Sequence, residues 1–326
     1  MTYHVLVPDS VHPSAVEVLK QAGDSITYTA PGQMSRAELL AAVPEADALV
    51  IRSASKIDAE VLAAATKLKA IARAGVGVDN VDIPEATNRG IVVMNTPDGN
   101  TISTAEHTFG LMLALARHIP QAHATLSAGK WDRKSFMGVE LRGKTLGVVG
   151  FGRIGRAVAK RALAFEMTVI AFDPYIPADI AAELGVELVS LDELYRRSDF
   201  ITLHALLTDE TRDMINKDSI AKMKKGVRII DAARGALINE ADLAEAIKSG
   251  QVAGAALDVF AEEPPQPDNP LINLPGVVHT PHLAASTDDA QIVVAVDAAK
   301  LVVDALLKGE YNNVVNPAVL TEKQGY

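Results

Sequence analysis

Short runs of apolar residues alternate with amphipathic stretches over the first hundred residues. Strands that alternate with helices pair in parallel, so this pattern predicts an open α/β sheet. Ser35 and Asp58 stand where helix N-caps are expected. The predicted strands are Val5–Val7, Ala48–Ile51, Lys69–Ala72 and Ile91–Met94, and the predicted helices are Pro13–Ala22, Ser35–Val43 and Asp58–Thr66.

A second series of the same kind begins at residue 145. Six apolar runs alternate there with helical patterns, which is the strand number of a dinucleotide-binding sheet. Together the two series predict an α/β protein with two doubly wound parallel-sheet domains. The second set of predicted strands is Thr145–Val149, Thr168–Phe172, Phe200–His204, Arg228–Asp231, Ala253–Asp258 and Val277–His279.

Four further segments complete the pattern. Thr101–Arg117 has the spacing of a long amphipathic helix, capped near Asn100–Ser103, that links the two series. The last periodic helix covers Asp288–Leu307 and ends at Gly309. Four prolines in Glu262–Pro270 predict a loop. The polar tail Thr321–Tyr326 is expected to fray.

Composition removes several classes of function. The 326 residues carry a formal net charge of −10, which argues against nucleic acid and anionic membranes as partners. The chain contains no cysteine, so disulfides, thiolate nucleophiles and cysteine-ligated metals are excluded, and we expect no metal site. The apolar run Phe109–Ala116 is too short to span a bilayer, and residues 1–9 resemble a first strand rather than a signal peptide. A cytoplasmic protein is expected.

A glycine-rich turn follows the strand Thr145–Val149. Gly150 permits a tight turn, Gly152 permits close approach of a pyrophosphate, and Gly155 permits close packing of the next helix. Amides at that helix N-terminus suit phosphate. Asp173, at the end of the next strand, can accept hydrogen bonds from ribose hydroxyls and would repel the extra phosphate of NADP. The alternative is a simple turn, but strand, helix and spaced acid together predict NAD binding.

Three later residues suggest acid–base chemistry on a carboxylic acid. Arg234 follows an apolar strand, at the sheet edge where α/β proteins bind ligands, and its planar fork suits a carboxylate. Glu263 could orient His282 and raise its pKa, and His282 could exchange a proton with a substrate hydroxyl. Taken singly, Arg234 could instead be a helix cap or an ion-pair partner, Glu263 a solvated charge and His282 a core histidine.

These segments together resemble the D-isomer-specific 2-hydroxyacid dehydrogenases over nearly the whole chain. In that family an arginine, a glutamate and a histidine are catalytic, and Arg234, Glu263 and His282 are the matching positions. The segments that carry the resemblance are Arg73–Asp82, the turn at Gly150, Asp231–Gly235, Leu257–Pro265 and Pro281–Thr287.

The resemblance implies a divided substrate-binding domain. Residues 1–98 and 288–326 would form this flavodoxin-like domain, and residues 99–287 would form the inserted NAD-binding Rossmann domain. A cleft between them would close during hydride transfer. The chain would be either a short natural form or a catalytic fragment, without C-terminal regulatory domains. The linking helix Thr101–Arg117 and the arm that follows it would form a homodimer contact, and His107 on that helix would serve packing or this contact.

The resemblance also implies a set of binding residues. His204 would support the cofactor, although core packing is an equal alternative. For the cofactor the matching positions are Val76, Gly150, Gly152, Arg153, Ile154, Gly155, Asp173, Pro174, His204, Ala205, Ala232, Arg234, Asp258, His282 and Ala284. For the substrate they are Arg52, Ser53, Gly75, Val76, Gly77, Asn100, Arg133, Lys134, Arg234 and His282.

The expected activity is NAD-dependent oxidation of a small D-2-hydroxy acid. The resemblance extends to Ile51–Ser53, Asn95–Thr101 and Gly129–Gly138, and it implies 3-phosphoglycerate as the leading substrate, oxidised to 3-phosphohydroxypyruvate toward serine. Arg52, Arg133 and Lys134 are the cations that could hold its phosphate. Arg133 and Lys134 could reach the phosphate from a partner subunit, and the alternative for these two residues is a solvated basic turn. The alternatives are another 2-hydroxy or 2-keto acid, of the glyoxylate, hydroxypyruvate or D-lactate type, and a non-catalytic NAD-sensing corepressor.

Overall fold

The computed structural model describes residues 2–323, and within them the chain forms twelve strands and thirteen α-helices. The strands are β1 (Tyr3–Leu6), β2 (Ile26–Thr29), β3 (Ala48–Ile51), β4 (Ala70–Arg73), β5 (Val92–Asn95), β6 (Thr145–Val149), β7 (Thr168–Phe172), β8 (Glu187–Leu188), β9 (Phe200–Leu203), β10 (Val227–Asp231), β11 (Val252–Leu257) and β12 (Val277–His279).

The helices alternate with these strands through both series. They are α1 (Ser14–Gln21), α2 (Arg36–Ala42), α3 (Ala59–Ala64), α4 (Ile83–Asn88), α5 (Thr101–Arg117), α6 (Ile119–Ser127), α7 (Arg153–Ala164), α8 (Ala178–Ala182), α9 (Leu191–Arg197), α10 (Lys217–Ala221), α11 (Glu240–Lys248), α12 (Asp288–Lys308) and α13 (Ala318–Lys323).

The chain divides into two compact units. The first combines residues up to 100 with residues from 286 onward, and the second is Thr101–Ala285. In the first unit five parallel strands have the order β2-β1-β3-β4-β5, which is the flavodoxin-like order. Helix α12 packs on β3 and β4 beside α1, so the end of the chain completes the core begun by its first residues.

The second unit holds seven parallel strands in the order β12-β11-β10-β9-β6-β7-β8. Counted from β6, the order is that of a Rossmann sheet with one additional strand beyond β11. The order in which strands are added to the sheet reverses at β6: β7 and β8 lie on one side of it, and the parallel β9 lies on the other. Ligands of such sheets bind beyond the carboxyl ends of the strands at this switch point. The predicted fold class is therefore confirmed.

Local capping explains several helix starts. The Ser35 hydroxyl accepts from the Glu38 amide while the Glu38 carboxylate accepts from the Ser35 amide, which makes a capping box at α2. The Asp58 carboxylate accepts from the Val61 amide at α3. Both N-caps agree with the sequence-based prediction, because capping depends on residues only three positions apart.

The differences from the sequence-based predictions include two strands and the last helix. The edge strand β2 was not predicted, because only Ile26 of its four residues is buried and the run lacks an apolar stretch. The two-residue β8 adds a seventh strand to the second sheet. Residues 321–323 end helix α13 rather than fraying, and the rest of the predicted tail lies outside the described residues. No helix among residues 2–323 is both long and apolar enough to cross a membrane.

Candidate active site

The glycine turn after β6 is shaped by two backbone contacts. Gly150 has a φ of +88°, and a Cβ there would lie 2.6 Å from the His204 carbonyl carbon. A Cβ on Gly155 would lie 2.1 Å from the Gly150 carbonyl oxygen. Side chains are therefore excluded at both positions, and α7 begins directly against the turn.

Gly152 differs from its two neighbours in the motif. A Cβ there would meet no atom of residues 2–323 within 4 Å, so the protein itself does not require glycine. The residue is exposed at the N-cap of α7, where unpaired helix amides favour an anion. Open space at this point is the cradle that a pyrophosphate would need, and the turn therefore fits NAD. Arg153 and Ile154 form the first turn of α7 beside it.

Asp173 connects the end of β7 to the glycine turn. One of its carboxylate oxygens accepts from the Phe151 amide at 2.8 Å, and the other accepts from the Tyr175 amide at 2.9 Å. Each oxygen retains a further lone pair for a ribose hydroxyl. The exposed Pro174 follows it. These two hydrogen bonds fix the orientation of the Asp173 carboxylate. Its role toward NAD stays a prediction.

His204 and Ala205 follow β9 and lie against Gly150 at the switch point. The His204 Nε2 lies 2.9 Å from the Thr202 hydroxyl. Burial lowers the pKa of His204 to about 3, so its ring is neutral near pH 7. A neutral ring beside the turn can pack on a cofactor but carries no charge toward its phosphates.

His282 and Glu263 form a direct pair. The His282 Nδ1 lies 2.7 Å from the Glu263 Oε2, and the Phe260 amide donates to the other carboxylate oxygen at 3.1 Å. About half of the His282 side chain is exposed, and its backbone φ of +53° lies in the left-handed region. His282 is therefore not a core histidine, and Glu263 is not a free solvated charge.

The pair shifts both pKa values in opposite directions. The Glu263 hydrogen bond raises the pKa of His282 above its ordinary value, although burial and the Arg234 charge oppose the rise. Burial would raise the pKa of Glu263, but the hydrogen bonds from His282 and Phe260 hold it below its ordinary value. A histidine raised in this way can hold or release a proton near neutral pH.

Arg234 lies directly beyond β10, and its charge acts on both members of the pair. Its Nη1 donates to the Ala233 carbonyl at 2.6 Å. Glycine is required next to it, because a Cβ on Gly235 would lie 1.9 Å from the Phe260 carbonyl carbon. The strand end thus packs against the loop that leads to Glu263, and the predicted trio is brought together within one unit.

Asp231 is a buried acid at the end of β10. Its Oδ1 accepts from the Ala233 amide at 2.8 Å, while its Oδ2 has no hydrogen-bond partner in the described part of the chain. Burial raises the pKa of Asp231 to about 8, with the nearby Asp258 charge adding to the rise. The raised pKa favours the protonated, neutral form of this acid over the charged form. The buried Ala232 follows Asp231 in the chain.

Asp258, at the end of β11, holds the segment that contains His282. One of its oxygens accepts from the Leu283 amide at 2.7 Å and from the His107 ring, and the other accepts from the Ala284 amide at 2.8 Å. Its backbone carbonyl accepts from the His282 amide at 2.8 Å. These hydrogen bonds hold the pKa of Asp258 below its ordinary value despite complete burial, which would raise it. The carboxylate is thus ionised and structural here.

The predicted substrate residues of the first unit stand at the carboxyl ends of three neighbouring strands. Arg52 and Ser53 follow β3, residues 75–77 follow β4, and Asn100 lies beyond β5. The buried Asp9 carboxylate accepts from the Arg52 amide and the Ser55 hydroxyl. The Gly75 amide donates to the Thr96 hydroxyl at 2.7 Å. These loops form one edge of the first sheet, and their predicted contact with substrate remains untested.

Arg133 and Lys134 lie in the segment after α6. Both are exposed, and the Asp132 carboxylate orders their backbone by accepting from the Lys134 and Ser135 amides, each at 3.1 Å. Among residues 2–323 neither side chain has a hydrogen bond or ion pair to the catalytic trio. A phosphate role and a solvated turn both remain open for these two cations. No group of three metal-ligating side chains occurs in the described chain.

Replacing Glu263 with glutamine should shift the pH dependence of catalysis. Because the carboxylate is the largest cause of the raised pKa of His282, we expect that pKa to fall. A histidine that takes a proton from a substrate hydroxyl must be neutral, so the rising limb of kcat/KM against pH is expected to move to lower pH, and the reverse reaction at neutral pH is expected to slow. Initial rates measured across pH test this. The neighbouring exposed Glu262→Gln is the control, and an unmoved limb in Glu263→Gln would contradict the assignment.

Comparison with known proteins places this geometry in a family. Residues 109–284 match the family model "D-isomer specific 2-hydroxyacid dehydrogenase, NAD binding domain". A D-3-phosphoglycerate dehydrogenase from Archaeoglobus fulgidus is 52% identical over 312 residues, which cover 96% of this chain and 59% of the relative. The chain thus spans about three fifths of the length of such curated relatives.

Solved structures agree over nearly the whole length of both chains. The TT0316 protein from Thermus thermophilus is 38% identical, with a TM-score of 0.86, and the match covers 96% of this chain and 99% of that one. A glyoxylate reductase from Paecilomyes thermophila is 31% identical, with a TM-score of 0.87 and coverage of 96% and 98%. The chain therefore belongs to the D-isomer-specific 2-hydroxyacid dehydrogenase family and carries its NAD-binding domain.

Proposed function

We propose that the protein oxidises D-3-phosphoglycerate to 3-phosphohydroxypyruvate with NAD. The observation that carries the proposal is the His282–Glu263 pair under the charge of Arg234, at the strand ends of the sheet that bears the NAD turn. The substrate itself is supported by the relatives, which bear the name D-3-phosphoglycerate dehydrogenase at about half identity. This step would lead toward serine.

The three side chains divide the work. Arg234 binds the substrate carboxylate with its planar fork and fixes the C2 hydroxyl. Nδ1 of His282 is occupied by Glu263, which leaves Nε2 as the base that takes the hydroxyl proton. The C2 hydrogen leaves with its electron pair as the C2–O bond becomes a carbonyl. Bound NAD supplies the nicotinamide ring that accepts this hydride.

In the reverse direction the same residues act as acid. The protonated His282 returns its proton to the carbonyl oxygen, and the negative Glu263 stabilises the imidazolium before that transfer. The raised pKa keeps a useful fraction of the ring protonated near neutral pH. The arrangement therefore serves a reversible reaction.

Replacing Arg133 and Lys134 together with alanine should weaken binding of the phosphorylated acid selectively. If both cations contact the phosphate, loss of their charge raises KM for 3-phosphoglycerate by about tenfold or more, with little change for D-glycerate. Steady-state kinetics with both acids measures this ratio. Lys130→Ala, in the same exposed segment, is the matched control. An unchanged KM for both acids would favour the solvated-turn interpretation.

A substrate panel tests the proposed activity. NADH formation is measured with 3-phosphoglycerate, D-glycerate and D-lactate, and NADH consumption is measured with glyoxylate and hydroxypyruvate. We expect the highest kcat/KM for 3-phosphoglycerate. A preference for glyoxylate or hydroxypyruvate would favour the second candidate, which the likeness to a glyoxylate reductase supports. Tight NADH binding without turnover of any acid would favour an NAD-sensing corepressor.

We also propose that the protein acts as a homodimer through the segment that begins at α6. Four large apolar side chains there are more than half exposed, and such a patch favours burial against another surface. They are Ile119, Leu126, Trp131 and Met137. The mass in solution, measured by sedimentation over a range of concentrations, distinguishes a dimer from a monomer.

A further inference from the structure

A histidine outside the predicted trio contacts the residue that holds His282 in place. His107 lies in the second turn of α5, and its Nε2 lies 3.0 Å from the Asp258 Oδ1 and 3.1 Å from the Thr280 hydroxyl. The Thr280 hydroxyl also donates to Asp258, at 2.5 Å. His107 is therefore part of a closed set of contacts around one buried carboxylate.

The carboxylate of Asp258 has no exposure to solvent, so it needs donors from the protein. Two donors are the amides of Leu283 and Ala284, the residues immediately after His282. The other two are the side chains of Thr280 and His107. Because a buried charge is costly when it is incompletely paired, loss of a side-chain donor weakens the whole set.

The backbone conformation at His282 depends on the hydrogen bonds to Asp258. The residue has a positive φ of 53°, which an L-residue adopts at some cost, and its own amide donates to the Asp258 carbonyl. Both the carboxylate and the backbone carbonyl of Asp258 thus hold the segment at His282 in this conformation. The His282 Nδ1 in turn lies 2.7 Å from the Glu263 Oε2.

The geometry points to His107 as a positioning residue for catalysis, which holds Asp258 and through it the backbone on which His282 stands. This inference rests on the proposed function, since it concerns the same proton transfer. It adds a role to the sequence-based interpretation of His107 as a packing or dimer residue. His107 contacts neither the Arg234 fork nor the Glu263 carboxylate in any hydrogen bond of the described chain, so it acts through Asp258.

The charged groups that face His282 are Glu263, Asp258 and Arg234. His107 faces Asp258, and its neighbour Glu106 is paired with Arg161 at 2.9 Å. When the His107 donor is removed, the segment after Asp258 relaxes and the contact between His282 and Glu263 is made less often. The main cause of the raised pKa of His282 then weakens, and its pKa falls.

Two variants separate positioning from packing. His107→Leu fills the space without a donor, whereas His107→Gln keeps an N–H at a similar distance along the side chain. We expect His107→Leu to lower kcat for the oxidation by about tenfold with a smaller change in KM for NAD, as expected for a misplaced base. His107→Gln should restore most of that loss. His4→Leu, which removes another histidine bonded to a threonine, is the matched control in the other unit.

A second readout does not depend on turnover. The pKa of His282 is followed in the 326-residue protein by NMR titration of its ring, assigned by its loss in His282→Ala. It should fall in His107→Leu and stay near the wild-type value in His107→Gln. An unchanged His282 pKa together with an unchanged kcat in His107→Leu would overturn the inference, as would equal losses in both variants. Because the titration needs no substrate, it can uphold the inference even where no acid is turned over.

Discussion

Replacing His282 with alanine is expected to lower kcat for the proposed oxidation by about a thousandfold while NAD still binds. The expected loss is that of a general base held at a fixed position, which contributes roughly 100- to 10,000-fold. NAD binding is spared because the glycine turn and Asp173 are formed by other segments of the same unit. Single-turnover rates at saturating substrate measure the chemical step, and fluorescence titration with NADH measures binding.

The exposed His279 provides a matched control three residues earlier. His279→Ala should keep nearly the full rate, since its ring lies outside the Glu263 pair. Full activity in His282→Ala would exclude this residue as the base. Loss of NADH binding together with activity would show instead that the substitution disturbs the Asp258-held segment and not the proton transfer alone.

Gly155→Ala is expected to have the largest effect on stability among the turn residues. The added Cβ would lie 2.1 Å from the Gly150 carbonyl oxygen, and backbone cannot move aside as the end of a side chain can. Either α7 moves away from β6 or the turn opens. Overpacking of this kind costs about 3 kcal/mol or more, and unfolding by urea should show that loss.

Gly152→Ala is the informative companion to that variant. A Cβ at Gly152 meets no atom of the described protein within 4 Å, so the free energy of unfolding without cofactor should stay within about 1 kcal/mol of wild type. The same methyl group would occupy the space assigned to the pyrophosphate, so NAD affinity should fall by about tenfold or more. If Gly152→Ala binds NAD as tightly as wild type, the cofactor does not lie over this turn.

The features that could be predicted from the sequence are those determined by near neighbours. The turn at Gly150 follows an apolar strand and precedes a helix, and Gly155 is required by a contact with the Gly150 carbonyl only five positions away. The capping of α2 by Ser35 is equally local. Arg234 and His282 could be placed at strand ends because apolar runs precede them, and ligands bind at that edge.

The features that escaped prediction depend on distant contacts. His107 and Asp258 are separated by 151 positions, and no spacing or composition signal connects them. Strand β2 has one buried residue and forms through pairing with β1, so its own sequence shows too little apolar character. Asp231 could be noticed as a residue, but its raised pKa comes from burial that only the packed sheet creates.

The most direct measurement follows the hydrogen from C2 of the substrate. The protein is incubated with NAD and D-3-phosphoglycerate deuterated at C2, and the NADH formed is weighed by mass spectrometry, with His282→Ala in parallel. The account predicts one deuterium in each NADH from the wild type, and formation about a thousandfold slower in His282→Ala. NADH without deuterium, or labelled NADH formed equally fast by the variant, would contradict it.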